Sequence, residues 1–490
     1  MRITRLKEIN VVQKSIHDTH WRIGLVYPNS YSIGMSGLTV KLLYHLLNQH
    51  RNVFTERIFF FADLPGPPRS IETGKTLTQF DLLAFSFQFE LDYINAIRML
   101  LRSGIPVYMK DRTPDHPLLL AGGPTVTTNP EPIFDIFDII FSGEFESISN
   151  DFLEAIISSK HGILKETILS LSGFFSSEDS ITHLTPFITR NLNDVNYPTA
   201  QVRPISGRRE RKGVLDGYFL QVSRGCIHGC HFCLIGNAFR PLRERSLNNL
   251  YRIVDKGGIE TKTNFFSLIG SSTADYSQII DLLEYLIEKK YKFSLPSIRI
   301  DSGIKMLEQI KRSGLKSLSI APESASEDVR FNIGKKITNL QVSDFVQKAE
   351  QNKIQELKLY FICGLTSDPI MESYEIIDFL NSLAELCSSL RLSISVTPLI
   401  PKRGTRMEKK CNNFREIQAG LRILKEHLPK SIHQKRFPVH WAAIQAILSI
   451  GGRELTPIMI DVADRGGSYQ SWKKRLDVEP IDYYFNHYCL

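Results

Sequence analysis

Short apolar runs alternate with stretches of helical period along most of the chain. In the first third, runs at 21–27, 58–62, 82–87, 118–121 and 139–142 read as buried strands, and 38–48, 91–103 and 147–157 carry apolar residues at helical spacing. Strands that alternate with helices predict a doubly wound parallel sheet, here over about residues 1–160. A second series begins at Tyr218. Strand-like runs at 218–222, 265–269, 293–300, 318–320, 357–362 and 392–397 are separated by helical segments at 247–256, 277–290, 304–312, 340–352 and 373–387. Six strands with parallel crossovers predict a partial (β/α)6 barrel over 213–405, with chemistry at the C-terminal ends of the strands. The stretch 161–212 mixes Ser, Pro, Asn and charge and reads as a linker. After about residue 406 the pattern turns helical, at 414–427 and 441–450. The second of these ends in a glycine pair, which reads as a packed helix with a glycine cap; the alternative is a lid that carries Trp441 or Arg453.

Composition narrows the class. At 490 residues the chain exceeds one ordinary core. With 42% hydrophobic and 23% charged residues, and no apolar run of membrane-spanning length, it reads as a soluble protein without a membrane partner. The charged start, MRITRLKEIN, lacks the apolar stretch of a signal peptide and points to the cytoplasm. A net charge of +8 is a weak excess over this length, so a nucleic-acid partner is permitted but not favoured. The densest basic run, 208–212 (RRERK), reads as a solvated part of the linker.

Of the seven cysteines, three crowd into SRGCIHGCHFCLIG as Cys226, Cys230 and Cys233, spaced C-x3-C-x2-C. Cys363, Cys387, Cys411 and Cys489 are scattered and read as ordinary buried or surface thiols. Three thiolates on one short loop can ligate three irons of a [4Fe–4S] cluster and leave the fourth open. Zinc completed by His228 or His231, or plain buried thiols, are the alternatives.

The cysteine loop, with Phe232 before the third cysteine and a βα series behind it, resembles the signature of the radical SAM enzymes. That resemblance implies reductive cleavage of S-adenosylmethionine at the open iron, with an external electron donor, and places Phe232 near the adenine. It also implies roles at later strand ends. Gly270, Ser271 and Ser272 stand where the family often has Gly-Gly-Glu to receive the methionine moiety, with serine in the third place. Arg299 and Asp301 would face the mouth if their strand alternates, and Arg299 could pair with a carboxylate of the substrate or of S-adenosylmethionine. Glu323, with Ser319 nearby, would meet a ribose or an ammonium group, and Gly364 would allow close approach of the adenine. Lys402, Arg403 and Thr405 would form the rim. No catalytic side chain is assigned.

In the N-terminal sheet, Asn29, Tyr31 and Gly34 occupy the places of aspartate, histidine and glycine in a D-x-H-x-x-G motif. Together with Ser86, Gly122, Gly123 and the following Gly143 and Glu144, this set resembles the cobalamin-binding domain of class B radical SAM proteins. With Tyr31 in the histidine place, a bound cobalamin would have no imidazole ligand from this motif. The alternative is a cobalamin-like fold that serves as a substrate or partner domain.

Phrases such as GMSGLTVKLLYHLLN, GGPTVTTNPEP and IAPESASEDVRFNIGKKI resemble the group that contains the archaeal methyl-coenzyme M reductase glutamine C-methyltransferases. The resemblance implies transfer of a methyl group from methylcobalamin to an unactivated carbon of a protein or peptide substrate. Two other readings stand beside it. One is a radical SAM methylthiotransferase acting on RNA or protein, which normally needs a second cluster from N-terminal cysteines; no cysteine precedes Cys226. The other is a non-enzymatic cobalamin- or metal-binding module.

Overall fold

The computed structural model describes residues 7–14, 20–176, 184–205 and 217–489; the basic run at 208–212 and the first six residues lie outside them. The chain divides into two compact units. The first draws on Met1–Phe219, Ile253–Thr263 and Leu448–Asp477, and the second on Leu220–Arg252, Asn264–Ile447 and Val478–Leu490. The C-terminal stretch is therefore shared between the units.

The first unit is built on a six-stranded sheet of β1 (Trp21–Tyr27), β2 (Val53–Phe59), β3 (Leu82–Ser86), β4 (Leu118–Gly122), β5 (Ile139–Phe141) and β6 (Phe174–Ser176), in the order β2-β1-β3-β4-β5-β6. All neighbours are parallel except β5 and β6. Because β1 lies between β2 and β3, the winding direction reverses there, and the C-terminal ends of β1 and β3 form the switch point where open α/β sheets take ligands. Fully buried strands read as unbroken apolar runs, which is why β1, β3, β4 and β5 lie where the pattern predicts. β2 starts five residues earlier than expected, at Val53, because buried Thr55, Glu56 and Arg57 interrupt its apolar run. Glu56 accepts from the hydroxyls of Ser70 and Thr73, and only Arg57 is paired with opposite charge. Arg57 is held by Glu8 at 2.6 Å and by Glu72 at 2.7 Å.

In the second unit, β7 (Tyr218–Gln221), β8 (Phe265–Ile269) and β9 (Lys292–Ser294) form one sheet, and β10 (Ser317–Glu323), β11 (Glu356–Cys363), β12 (Arg391–Pro398) and β13 (His433–Arg436) another. A parallel bridge between Ile298 and Ile320 links the two sets. The strands thus follow in chain order, the succession of a partial parallel barrel. Two features differ from the expected pattern. The strand expected at 293–300 stops at Ser294, because Pro296 has no N–H to extend the ladder, and Arg299 instead directly precedes a short helix, Ile300–Gly303. Arg299 and Asp301 are therefore not alternating strand residues. The seventh strand, β13, pairs in parallel with β12.

Cys411 and Cys489, read from the sequence as separate thiols, are joined in a disulfide with Cα atoms 5.1 Å apart. The helix Val439–Ile450 ends in carbonyls satisfied by Asn129, whose Nδ2 donates to Ser449 and Gly451 at 3.0 and 2.9 Å. Arg453 pairs with Asp135 at 3.6 Å and lies over the Phe134 ring, which fits the packed-helix reading rather than a lid. Among the described residues no helix is long and apolar enough to cross a membrane.

Candidate functional site

The cysteine loop leaves the C-terminal end of β7. Its entry is fixed by Gly225, whose φ of +76° and whose position suit only glycine: an added Cβ would lie 2.2 Å from the Pro241 carbonyl oxygen. After the third cysteine the chain turns into a short helix, Leu234–Ala238, and Cys233 Sγ accepts the Gly236 N–H at 3.3 Å. Cys226 Sγ likewise accepts the His228 N–H at 3.4 Å. Asn237 donates to the carbonyls of Cys230 and Cys233, and Arg240 to those of Gly236 and His228. The loop is thus held by its own backbone acceptors, and its three thiols are left half-buried.

Both histidines of the loop have their Nε2 engaged elsewhere. His228 Nε2 meets Asp275 Oδ2 at 2.6 Å, and His231 Nε2 faces Arg406 at 3.1 Å. Among the described residues no three His, Cys, Asp or Glu side chains gather around a single-ion position. Burial pushes the Cys226 and Cys230 thiols up, while Lys335 and Arg299 pull Cys230 the other way. In such surroundings the Cys226 and Cys230 thiols need positive charge to ionise, and an iron cluster that takes one thiolate at each of three irons would supply it. The donor set fits a [4Fe–4S] cluster held by Cys226, Cys230 and Cys233.

Around the loop, the sequence-predicted residues fall in different roles. Phe232 packs with Ile333, Leu365 and Leu399, beside Ile362, in a cluster that flanks Gly364. The Gly364 N–H is taken by Glu372 Oε2 at 2.7 Å, and its missing Cβ makes room for Ile417. Gly270 faces Ser223, whose hydroxyl is buried without a partner. Ser271 is exposed, and Ser272 is buried and donates to Asp275 Oδ2. Burial opposes ionisation of Asp275, but hydrogen bonds from His228 and Ser272 outweigh it and hold the carboxyl down at about 2. Arg299 spends its fork on Asp301, at 2.9 and 2.8 Å, instead of standing free for a ligand carboxylate. Ser319 is half-buried on β10, where its carbonyl receives the Ile298 N–H. Glu323 ends that strand at a register shift, in the left-handed region at φ +71°, and accepts from Lys335 at 2.8 Å. Asp275, Lys335, Asn237 and Arg240 were not singled out by sequence reasoning, and His228 was considered only as a zinc ligand, whereas the structure pairs it with Asp275.

In the first unit, Asn29 follows β1 and donates to Asp92 Oδ1 at 2.7 Å. Asp92 Oδ2 is buried without a hydrogen-bond partner, and burial raises this carboxyl to about 7. Ser86 and Gly122 are paired in register at the ends of β3 and β4. Gly123, at φ +115°, has its Cβ position filled by the Phe87 carbonyl at 2.2 Å, so the fold itself requires glycine there. Tyr31 and Gly34 lie on a short helix against the Phe59 ring. The Tyr31 hydroxyl donates to Glu8 Oε1 at 2.7 Å, inside the Arg57 network, and burial pushes it far above the usual phenol range. Tyr31 does not fit as a cobalt ligand. Glu144 is buried and receives the Thr189 N–H.

Residues 220–380 match the family described as the Radical SAM superfamily, and residues 39–173 match radical SAM proteins, N-terminal. Uncharacterized protein MJ0966 of Methanocaldococcus jannaschii is 28% identical over 388 residues, covering 79% of each chain. In fold, the chain resembles the radical S-adenosylmethionine methyltransferase TsrM from Kitasatospora setae, solved with cobalamin and a [4Fe–4S] cluster. The TM-score is 0.51 at 11% identity, over 76% of this chain and 72% of that one. It also resembles the cobalamin-dependent S-adenosylmethionine radical enzyme OxsB, with a TM-score of 0.50 at 17% identity, over 74% of this chain and 52% of that one.

Proposed function

We propose that this protein is a radical SAM enzyme that carries one [4Fe–4S] cluster on Cys226, Cys230 and Cys233 and methylates an unactivated carbon of a protein residue with the help of a corrinoid. The observation that carries the reading is the cysteine loop itself: three thiols at the end of β7, held by Asn237 and Arg240 through the loop's own carbonyls, within a stretch that matches the Radical SAM superfamily. The fold shared with TsrM, whose structure holds both groups, supports the methyl-transfer half. The cluster would supply the electron that cleaves S-adenosylmethionine, and the corrinoid a transferable methyl group.

The chain's own residues bind and orient. Phe232, Ile362 and Leu365 offer an apolar wall beside the loop, suited to the adenine face. Lys335 and Arg299 place positive charge near Cys230 and offset the negative charge of a thiolate-bound cluster. At the switch point of the first unit, Asn29, Ser86 and Asp92 are the polar groups that would meet a corrinoid; none supplies an imidazole.

Anaerobic reconstitution with iron and sulfide, followed by incubation with S-adenosylmethionine, a reductant and methylcobalamin, tests the reading. The expected result is one [4Fe–4S] cluster per chain and release of 5′-deoxyadenosine. With the substrate protein present, S-adenosylhomocysteine and a one-methyl mass increase on a peptide should accompany it. Comparison of proteomes from cells with and without the protein identifies that substrate. Deoxyadenosine with no methylated product sinks methyl transfer, two clusters favour methylthiolation, and bound zinc without cleavage sinks the enzyme reading.

A further inference from the structure

The two faces of the sheet β10 to β13 differ in chemistry. Along β11 burial alternates: Leu357, Leu359, Phe361 and Cys363 are buried, while Lys358, Tyr360 and Ile362 are half-buried. Cys363 Sγ meets the Pro369 carbonyl at 3.8 Å, so the first set faces the outer helix Pro369–Glu385. Ile362 joins Phe232 in the apolar cluster around Leu365, so the second set faces the side of the cysteine loop. Strand register carries this inner face sideways. Lys358 stands opposite Ser393, Tyr360 opposite Ser395, and Ser395 opposite the exposed Lys435 of β13.

The inner face is rich in donors and poor in acceptors. Lys358 Nζ lies 4.8 Å from the centre of the Tyr360 ring, and among the described residues neither Lys358 nor Lys435 has a carboxylate partner. The hydroxyls of Tyr360, Ser393 and Ser395 likewise have no hydrogen-bond partner among the described residues. Of the carboxylates on these strands, Glu323 accepts from Lys335, and Glu356 stands at the far end of β11 opposite Arg391. Two ammonium groups and three hydroxyls without an internal anion make a surface complementary to negative charge. Two cations are few for a phosphate backbone, and Lys358 covers the aromatic ring on which a base would stack, so the face suits the carboxylate of a protein side chain better than single-stranded RNA.

We propose that the inner face of β11 to β13 binds the protein substrate through an acidic side chain, with Lys358 and Lys435 as its charge partners and Tyr360, Ser393 and Ser395 as hydroxyl donors. The inference rests on the radical SAM reading and adds a substrate class to it: an acidic protein segment. Lys358 lies four residues before Ile362, about 13 Å along the strand, so the carboxylate is held deeper in the sheet than the part of the substrate that reaches the cysteine loop.

The test uses the reconstituted full chain, with end-capped hexaglutamate and hexaglutamine as calorimetric probes. Wild type should bind hexaglutamate at least ~10-fold more tightly, the scale of one hydrogen bond to a charged group. Lys358→Met should lose most of that preference and Lys358→Arg should keep it. Lys425→Met, on the exposed side of helix Phe414–His427, should leave it intact. Zero-length carbodiimide coupling of hexaglutamate, followed by peptide mapping, should form the amide bond on Lys358 or Lys435. Coupling confined to other lysines, or an undiminished preference in K358M, overturns the proposal. If K358M does not load iron, Lys435→Met is measured in its place with the same expectation, and if neither loads, the coupling map on wild type decides. Tighter binding of hexauridylate than of hexaglutamate, lost in K358M, would give the face to RNA and overturn the acidic-protein occupant. A chain that releases 5′-deoxyadenosine yet binds both peptides equally sinks this inference alone. One that loads a cluster and releases none sinks the radical SAM reading and the inference with it.

Discussion

Lys335 donates to Glu323 across 2.8 Å with both side chains nearly out of solvent, 8% and 12% exposed, at a point where Glu323 adopts a left-handed backbone. A backbone in that region costs a non-glycine residue about 1 kcal/mol or more, and the ion pair is the compensating contact. Removing one partner strands the other charge in a poorly solvated site. Lys335→Met should therefore destabilise the second unit by about 3 kcal/mol, read as urea unfolding followed by hydrogen exchange in β10. The double variant Glu323→Gln with Lys335→Met should recover part of that loss. A K335M chain as stable as wild type would show that the pair contributes nothing.

The Cys411–Cys489 disulfide closes a loop with a sequence separation of 78 and ties the loop before helix Phe414–His427 to the end of the terminal helix Pro480–Tyr488. Arg415 and Asp482 add a bidentate pair between the same two helices, at 2.8 and 2.6 Å. Chain-entropy reasoning gives such a closure about 4.5 kcal/mol, and measured values commonly run at about 2–4 kcal/mol. Replacing both cysteines by serine should lower the unfolding free energy by about 2–4 kcal/mol, and thiol titration of the denatured, unreduced chain should find two fewer free thiols than after reduction. Equal thiol counts before and after reduction refute the pairing.

Much of this architecture is legible in the sequence because buried parallel strands have to be apolar. β1, β3, β4, β8, β11 and β12 announce themselves in that way, and the cysteine loop through its spacing. β13 does not, since HQKR is a polar strand whose membership depends on pairing with β12. β2 is blurred by Glu56 and Arg57, which are tolerated inside only because Ser70, Thr73, Glu8 and Glu72 arrive from elsewhere in the chain to satisfy them. Partners so distant in sequence leave no periodic trace. The same holds for Asp275 with His228 and for Lys335 with Glu323, which become visible only once the strand ends converge.

Tyr31 illustrates a residue whose place in a motif and whose contacts point in different directions. Its hydroxyl donates to Glu8 Oε1, which Arg57 also grips. Tyr31→Phe removes one hydrogen bond to a charged group and should cost about 1–2 kcal/mol in the first unit. Binding of hydroxocobalamin, followed by its visible absorption, should be unchanged. A Y31F chain that loses corrinoid binding would place the phenol at the cofactor and refute its assignment to the Glu8 network.

Asp92 gives the first unit a pH dependence of definite sign. Its carboxyl is raised from 3.8 to about 7, first by burial, against the opposing hydrogen bond from Asn29. A carboxyl whose folded pKa is raised is harder to ionise in the native state than in the unfolded chain. The folded state therefore loses stability relative to the unfolded one as pH climbs from about 4, and the loss levels off once pH passes about 7. Three pKa units set a ceiling of about 4 kcal/mol, and structural relaxation brings the expected value nearer 2 kcal/mol. Asp92→Asn keeps the Oδ1 acceptor that Asn29 uses and removes the charge. It should be no more stable than wild type at pH 4 and more stable by about 2 kcal/mol at pH 8, measured as hydrogen-exchange protection of helix Asp92–Arg102 across that range. A constant difference between the two proteins from pH 4 to pH 8 would show that Asp92 ionises as freely inside the fold as outside it. In that case the carboxyl at the start of helix Asp92–Arg102 would have to be solvated, and its unpartnered Oδ2 would not mark a buried site.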